Sequence, residues 1–413
     1  MYPTSSHWSQ VQAVVLGGDI GSYSIARAFY QETGRKPVII SAFGGGIVRD
    51  STISRLIVEP DMEQREVLAD RLRALDAEFT DAAHIICLAS ADWNVQMLVQ
   101  LRDELPARWI VPYPQWDAIE AVTDKAAFSA LCAELNIPHP RSIVRSFGQD
   151  FDDSTLTYPL VGKAVDTPAY HRVEFPGKKK VFTFADPAAT RAALQAADEA
   201  GYTGDFLLQE YIPGADSQMR VANLYAQDGR VVFAGMGRVL LEEHAPSAIG
   251  NSAAIITEVD EALIGHARRI LEHIGWHGFA CFDVKVDPRT GQALIFEMNA
   301  RLGRAHHYLT AAGANPARYY LRDWVDGETL TGLDILTEER LYTVVPISLL
   351  SLYTPGQRSR IARLVAQGKV SGPLLNKDER SLKRWGYIAA AYANQWRKFM
   401  RFHPPSRRQQ PGL

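Results

Sequence analysis

Cysteine is scarce in this chain of 413 residues: Cys87, Cys132 and Cys281 stand far apart. Three isolated cysteines make neither a disulfide framework nor a zinc module, and they point to a reducing, cytoplasmic setting. No run reaches the roughly 18 apolar residues of a membrane-spanning helix, so none is expected. The opening MYPTSSHWSQ has neither a basic start nor an apolar stretch, so no secretory signal is expected. Net charge is also small, 44 basic against 47 acidic residues, which argues against a general nucleic-acid binder. Internal repeats and low-complexity segments are missing. One local lack runs the other way: from Ser381 onward there is no acid but seven Lys or Arg. What is present, 46% hydrophobic residues with 30 Gly and 22 Pro, describes a globular chain. Its length exceeds one core, so two or three domains are expected.

Residues 11–120 read as a doubly wound α/β unit. Strands VQAVVLGG, KPVIIS, HIICLAS and RWIVPYP alternate with helix GSYSIARAFYQETG and with amphipathic stretches over 62–79 and 92–105. That alternation implies a parallel sheet. The turn Gly17-Gly18-Asp19-Ile20-Gly21 lacks the G-x-G-x-x-G spacing, and the second strand ends at Ser41 where a nicotinamide site wants an acid. Two readings stay open there, a tight strand-to-helix turn and a small anion held at the helix N-terminus.

Beyond residue 120 the pattern becomes mixed α+β. A helix capped at Thr123 or Asp124 stops at Pro138 and Pro140, and strands follow at 158–165, 179–184 and 205–212, with a helix over 187–201. A hairpin over 219–241 turns at Asp228-Gly229, a helix spans 261–275, and a last hairpin covers 279–301.

The last hairpin carries the strongest chemical signal. Its turn, Asp287 to Gln292, allows a register with Asp283 opposite Glu297 and Cys281 opposite Asn299. Alternation then sends Ala280, Phe282, Val284, Val286, Leu294, Phe296 and Met298 to the core, and Asp283, Lys285, Glu297 and Asn299 to the other face. Two carboxylates and an amide oxygen opposite one another call for a hard cation between them, Mg²⁺ carrying nucleotide phosphates. The plainer reading is a solvated polar face, but Arg301, Arg304, His306 and His307 follow at once. Adjacent residues on a helix point about 100° apart, which disfavours His306 and His307 as a joint metal pair and favours packing or substrate lining. Cys281 reads as a small residue at the core edge. Upstream, Lys163 sits inside the apolar strand VGKAV, where a phosphate partner removes the cost of a buried ammonium. LLQEYIPG ends a strand whose backbone suits an adenine edge and whose acid suits ribose hydroxyls. The loop between, with Gly177 and Lys178, Lys179 and Lys180, is placed to close over phosphates.

In this order, TDKAAF with Lys125, PLVGKA with Lys163, LLQEYIPG, Arg238, FDVK and EMNAR resemble the ATP-grasp superfamily over roughly residues 11–330. Three segments are similar to the bacterial D-aspartate ligase group of carboxylate–amine ligases. These are AVDTPAYHRVEFPGKKKVF, NARLGRAHHYLTAAGANP and the aromatic, basic C-terminal helix. The resemblance implies an ATP-grasp fold: a Rossmann-like first domain over 1–120, a lid subdomain over 121–204, a metal-bearing subdomain over 205–330, and a helical extension over 331–413. It implies that Lys125, Lys163 and Lys180 hold phosphates, that Gln209, Glu210, Tyr211, Ile212 and Asp216 hold the nucleoside, and that Asp283, Glu297 and Asn299 take Mg²⁺, with Mn²⁺ as the alternative. Arg301, Arg238 and Lys285 become the catalytic set, and the first domain with the loop from Arg238 to Asn251 shapes the acceptor site. The glycine-poor lid departs from the superfamily at large and matches the closer group.

The implied reaction is ATP-dependent amide formation through an acyl phosphate, D-aspartate being joined to the diamino-acid side chain of a peptidoglycan stem peptide. Two alternatives remain open: a ligase making another dipeptide or amide, and an inactive nucleotide-binding module. Trp385, Ile388, Tyr392, Trp396 and Phe399 form one stripe beside Lys383, Arg384, Arg397, Lys398 and Arg401. That helix either packs on the core or meets an anionic membrane where lipid-linked wall precursors sit. Oligomeric state stays open, a homodimer being one arrangement.

Overall fold

The computed structural model describes residues 6–246 and 248–405. The first five residues, Ser247 in the loop between Arg238 and Asn251, and the end of the basic tail lie outside the described residues.

Three sheets organise the chain. The first is parallel, in the order β3-β2-β1-β4-β5, built from β1 (Val11–Leu16), β2 (Val38–Ser41), β3 (Arg55–Val58), β4 (His84–Ala89) and β5 (Trp109–Ile110). Helices α1 (Ile20–Thr33), α2 (Arg65–Glu78) and α3 (Asp92–Leu101) connect the strands. β3 escapes the sequence pattern because it is an edge strand whose four residues are all exposed or half-buried. Gly17 and Gly18 close the β1–α1 turn. A Cβ on Gly17 would lie 2.2 Å from Ser90 Oγ, and one on Gly18 would lie 2.2 Å from Ser41 Oγ. Of the two readings of this turn, steric need is the one the structure meets: the Asp19 side chain caps α1 by accepting from the Ser22 amide, so the helix end already holds a carboxylate.

Two short helices, α4 (Trp116–Thr123) and α5 (Lys125–Glu134), lead into the second sheet; Asp124 is the cap of α5. This four-stranded antiparallel sheet runs β6-β9-β7-β8, from β6 (Ser142–Arg145), β7 (Leu160–Ala164), β8 (Phe182–Phe184) and β9 (Phe206–Glu210). Helices α6 (Thr167–Arg172) and α7 (Pro187–Glu199) accompany it. A boundary at 204/205 would cut this sheet, because β9 hydrogen-bonds with both β6 and β7. The lid unit therefore extends through Glu210.

The third sheet has eight strands. β10 (Met219–Gln227), β11 (Arg230–Glu242) and β12 (Ser252–Thr257) are followed by α8 (Glu261–His273) and by the hairpin β13 (Gly278–Val286) and β14 (Ala293–Asn299). After α9 (His307–Ala311) and α10 (Pro316–Tyr320), strands β15 (Asp334–Ile335), β16 (Leu341–Thr343) and β17 (Val370–Ser371) join the same sheet. Residues 331–413 are thus no separate extension in their first part. α11 (Ile347–Tyr353), α12 (Arg358–Ala366) and α13 (Leu382–Phe402) complete the chain. Ile388 and Phe399 of α13 are buried, with Tyr392 and Trp396 packed against the same core. Four of the five stripe residues face inward, and Trp385 stays 37% exposed.

The register of the β13–β14 hairpin is the predicted one, Asp283 opposite Glu297 and Cys281 opposite Asn299. The alternation behind it fails in part. A bulge follows Asp283, so that Val284 pairs with Ile295 and Phe296 is the extra residue. Ile295 is therefore buried in place of Leu294 and Phe296, and Phe296 turns into the cleft described next.

Candidate active site

A cleft of about 490 Å³ opens between the second and third sheets. Lys163 and Lys180 line it from the lid side, Lys125 from the start of α5, and Asp283, Glu297 and Asn299 from the hairpin, with Phe296 and Met298 as apolar floor. Lys163 Nζ stands 3.9 Å from Glu297 Oε2 and 5.4 Å from the centre of the Phe296 ring. Three lysines from different elements and two facing acids thus share one space. Triphosphate charge and a cation would satisfy both sets.

The acids are under electrostatic load. Burial, then the Glu297 charge, push the Asp283 carboxyl up to about 7, against the lowering pull of Arg301, an Asn299 hydrogen bond and Lys163. The Asn299 amide donates to Asp283 Oδ2 at 3.1 Å, and its oxygen accepts from Arg301 Nη2 at 3.2 Å. Among the described residues no group of three or more His, Cys, Asp or Glu side chains could hold a metal, so any ion here rests on two carboxylates and an amide. A pair that cannot comfortably carry both charges, made only of oxygen donors, fits a hard divalent ion such as Mg²⁺.

Arg301 is tied to Asp92 at the start of α3 at 2.7 Å, which links the first domain to the metal face and holds the guanidinium charged. Arg238 is placed elsewhere. It pairs across the ladder with Arg220, which in turn pairs with the buried Val284, whereas Val221 pairs with Asp283. Strand alternation puts Arg238 on the opposite face from Asp283, and there Arg238 and Arg220 share Glu258 at 3.0 and 2.9 Å. This corrects the catalytic reading of Arg238. Lys285 shares the Asp283 face but lies farther along, its Nζ 5.2 Å from the Tyr211 ring centre.

The nucleoside residues are spread out. Gln209 and Ile212 are buried, Glu210 accepts the Thr157 amide at 2.8 Å, and none of Gln209 to Ile212 lines the cleft. Asp216 accepts from the Glu242 amide at 2.8 Å and contacts His244 Nε2 at 3.0 Å. Glu242 does line the cleft, and burial followed by the Asp216 charge push its carboxyl up to about 7. Sequence reading missed Glu242 and Asp92. Both are charged residues at an element end, with a partner more than 20 residues away, which no local spacing reveals.

Beyond Asp283 and Asn299 a second, smaller pocket of about 120 Å³ adjoins the metal face, lined also by Asn251, Arg301, Arg304 and His306. His306 and His307 turn to different partners, the Gly303 carbonyl and Ser371 Oγ, so they form no joint ligand pair. Cys281 is buried against Gly303, where an added Cβ would stand 2.6 Å from its sulfur.

These features, a lid sheet over a larger sheet with lysines and paired acids between, define the ATP-grasp fold, and the similarities below support an ATP-dependent carboxylate–amine ligase. The chain is 28% identical over 406 residues to a D-aspartate ligase of Enterococcus faecium (strain Aus0004), covering 94% of this chain and 96% of that protein. Among solved structures it resembles the biotin carboxylase domain of the Hydrogenobacter thermophilus 2-oxoglutarate carboxylase, in complex with MgADP, with a TM-score of 0.57. That match is 17% identical and covers 78% of this chain and 71% of the other. It also resembles N5-carboxyaminoimidazole ribonucleotide synthetase from Thermus thermophilus, with a TM-score of 0.56, 16% identity, and 80% and 81% coverage. No protein-family model matches the chain.

Proposed function

We propose that this chain joins D-aspartate to an amine, the side chain of the diamino acid in a peptidoglycan stem peptide, through an aspartyl phosphate made from ATP. The observation that carries the reading is the Asp283–Glu297–Asn299 face, which opens on a nucleotide-sized cleft on one side and an amino-acid-sized polar pocket on the other. The full-length similarity to a D-aspartate ligase supports the choice of substrate.

Lys125, Lys163 and Lys180 would steady the phosphates, and Glu242 and Asp216 the nucleoside end. Gln209 and Glu210 at the end of β9, with Tyr211 and Ile212 after it, would meet the adenine and ribose. Asp283, Glu297 and Asn299 would hold Mg²⁺, which when bound draws charge from the phosphate oxygens. In the first step a carboxylate oxygen attacks the γ-phosphorus and the bond to ADP breaks. In the second the amine attacks the acyl carbon, the C–N bond forms, phosphate leaves and one proton is released. Arg301, fixed by Asp92, is placed to stabilise the charge that develops on the transferred group. Lys285 acts from farther off, by balancing Glu242 and Asp216. With ATP, Mg²⁺, a diamino-acid acceptor and a panel of D- and L-amino acids, phosphate release should appear with D-aspartate and vanish with EDTA. Release with none of the panel would contradict the reading.

A cytoplasmic setting follows from this substrate, with contact to the inner membrane face. No helix among the described residues is long and apolar enough to cross a membrane. The outward side of α13 carries Lys383, Arg397 and Arg401 with Leu382, 88% exposed, and Met400, 50% exposed. Co-sedimentation should be stronger with anionic than with neutral liposomes; equal behaviour would sink the membrane contact.

A further inference from the structure

The smaller pocket holds more donor and acceptor capacity than the described chain uses. Arg304 makes two long ion pairs, Nε 3.5 Å from Asp19 Oδ2 and Nη1 3.7 Å from Glu243 Oε1, and at that distance the buried Nη1 makes no hydrogen bond. His306 is 1% exposed; its Nδ1 is committed to the Gly303 carbonyl at 2.8 Å, so Nε2 is left as a buried acceptor without a partner. Burial drives that ring to about 4, which keeps it neutral and its lone pair free. Unpaired buried donors and acceptors are costly, and two of opposite kind in one pocket mark the place of a ligand that is itself both acceptor and donor. A free amino acid is such a ligand. One end of the pocket is the metal face, Asp283 and Asn299; Arg304 and His306 line it as well. Its volume, about 120 Å³, has room for one small amino acid.

We infer that Arg304 is the specificity-determining residue for a dicarboxylic amino acid: it binds the carboxylate that is not activated, while His306 Nε2 accepts from the ammonium. The inference rests on the proposed ligase reading and deepens it by saying which residue tells a second carboxylate from none. Arg304 belongs to the loop after β14, and its backbone packs on Gly21 of α1, where a Cβ would meet the Arg304 Cα at 3.4 Å. The guanidinium is thereby fixed between the first domain and the β11–β12 loop that holds Glu243.

The test compares D-aspartate with 3-aminopropanoate, which keeps the ammonium and the reacting carboxylate but lacks the second one. Binding of each to the full chain saturated with a non-hydrolysable ATP analogue and Mg²⁺ is measured by calorimetry, for the wild type, Arg304→Gln and Arg304→Lys. A lost charge-assisted pair should weaken D-aspartate about 10- to 100-fold in Arg304→Gln, and less in Arg304→Lys. Affinity for 3-aminopropanoate and for the nucleotide analogue should move less than about threefold. Equal loss for both amino acids, or no loss for either, would overturn the role of Arg304, and so would failure of the wild type to bind D-aspartate. Turnover is read separately: selective binding without phosphate release refutes the ligase reading and leaves the pocket assignment standing. Phosphate release that Arg304→Gln leaves unchanged does the reverse.

Discussion

Glu297→Gln should lower D-aspartate-dependent phosphate release about 1,000-fold while the protein melts at the same or a slightly higher temperature. Several kcal/mol of transition-state stabilisation rest on a bound divalent ion, and each 1.36 kcal/mol is tenfold in rate. The variant keeps shape and volume but removes one of two charges. Glu297 lies opposite Asp283, and repulsion between them is part of what raises the Asp283 carboxyl to about 7. Relieving that repulsion lowers the energy of the folded chain in the absence of metal. Opposite signs for activity and stability separate a functional acid from a structural one: a carboxylate needed for folding would lose both. Comparable activity in Glu297→Gln would remove the metal face from the reaction.

Glu379→Ala should destabilise the protein by about 3–5 kcal/mol, the range for breaking a buried ion pair by removing one partner. Arg384 Nε stands 2.8 Å from Glu379 Oε1, and both side chains are fully buried. Glu379 also accepts from Tyr23 of α1, from Ser51, and from the amide and hydroxyl of Thr52. Arg384 in turn donates to the Arg49 carbonyl and lies over the Tyr23 ring at 4.4 Å. The cluster clamps the start of α13 to the first domain, so its loss would free the C-terminal helix as well as leave an uncompensated guanidinium. Chemical denaturation gives the stability change, and limited proteolysis after residue 380 should become fast in the variant. A loss under about 1 kcal/mol would show that the clamp holds nothing.

Much of the site was legible because one hairpin carries it. The turn at Asp287 to Gln292 sets the pairing of Asp283 with Glu297, and alternation does the rest as far as the bulge. Past it, Phe296 left the core for the cleft, since one inserted residue reverses the parity of everything beyond. Arg238 failed for the same geometric reason: its motif position was plain, but only the β10–β11 register shows that its side chain leaves the sheet on the other face. Asp92 comes to the metal face through a tertiary contact with Arg301, 209 residues away, and no local pattern holds that information. The α13 stripe had the opposite character. Its period of three and four signalled a buried face, and the core took Ile388 and Phe399 in full. The 204/205 boundary was misplaced because β9 follows a helix and precedes a loop, which looks like the start of a unit unless its ladder partners are known.

Under the proposed function, D-aspartate is activated as an acyl phosphate between the two pockets. Hydroxylamine supplied in place of the amine tests it directly. With ATP, Mg²⁺ and D-aspartate, the wild type should yield aspartyl hydroxamate and ADP in equal amounts, and Glu297→Gln should yield almost none. ADP forming at the same rate without any amino acid and no hydroxamate, or AMP and pyrophosphate replacing ADP, would contradict the account.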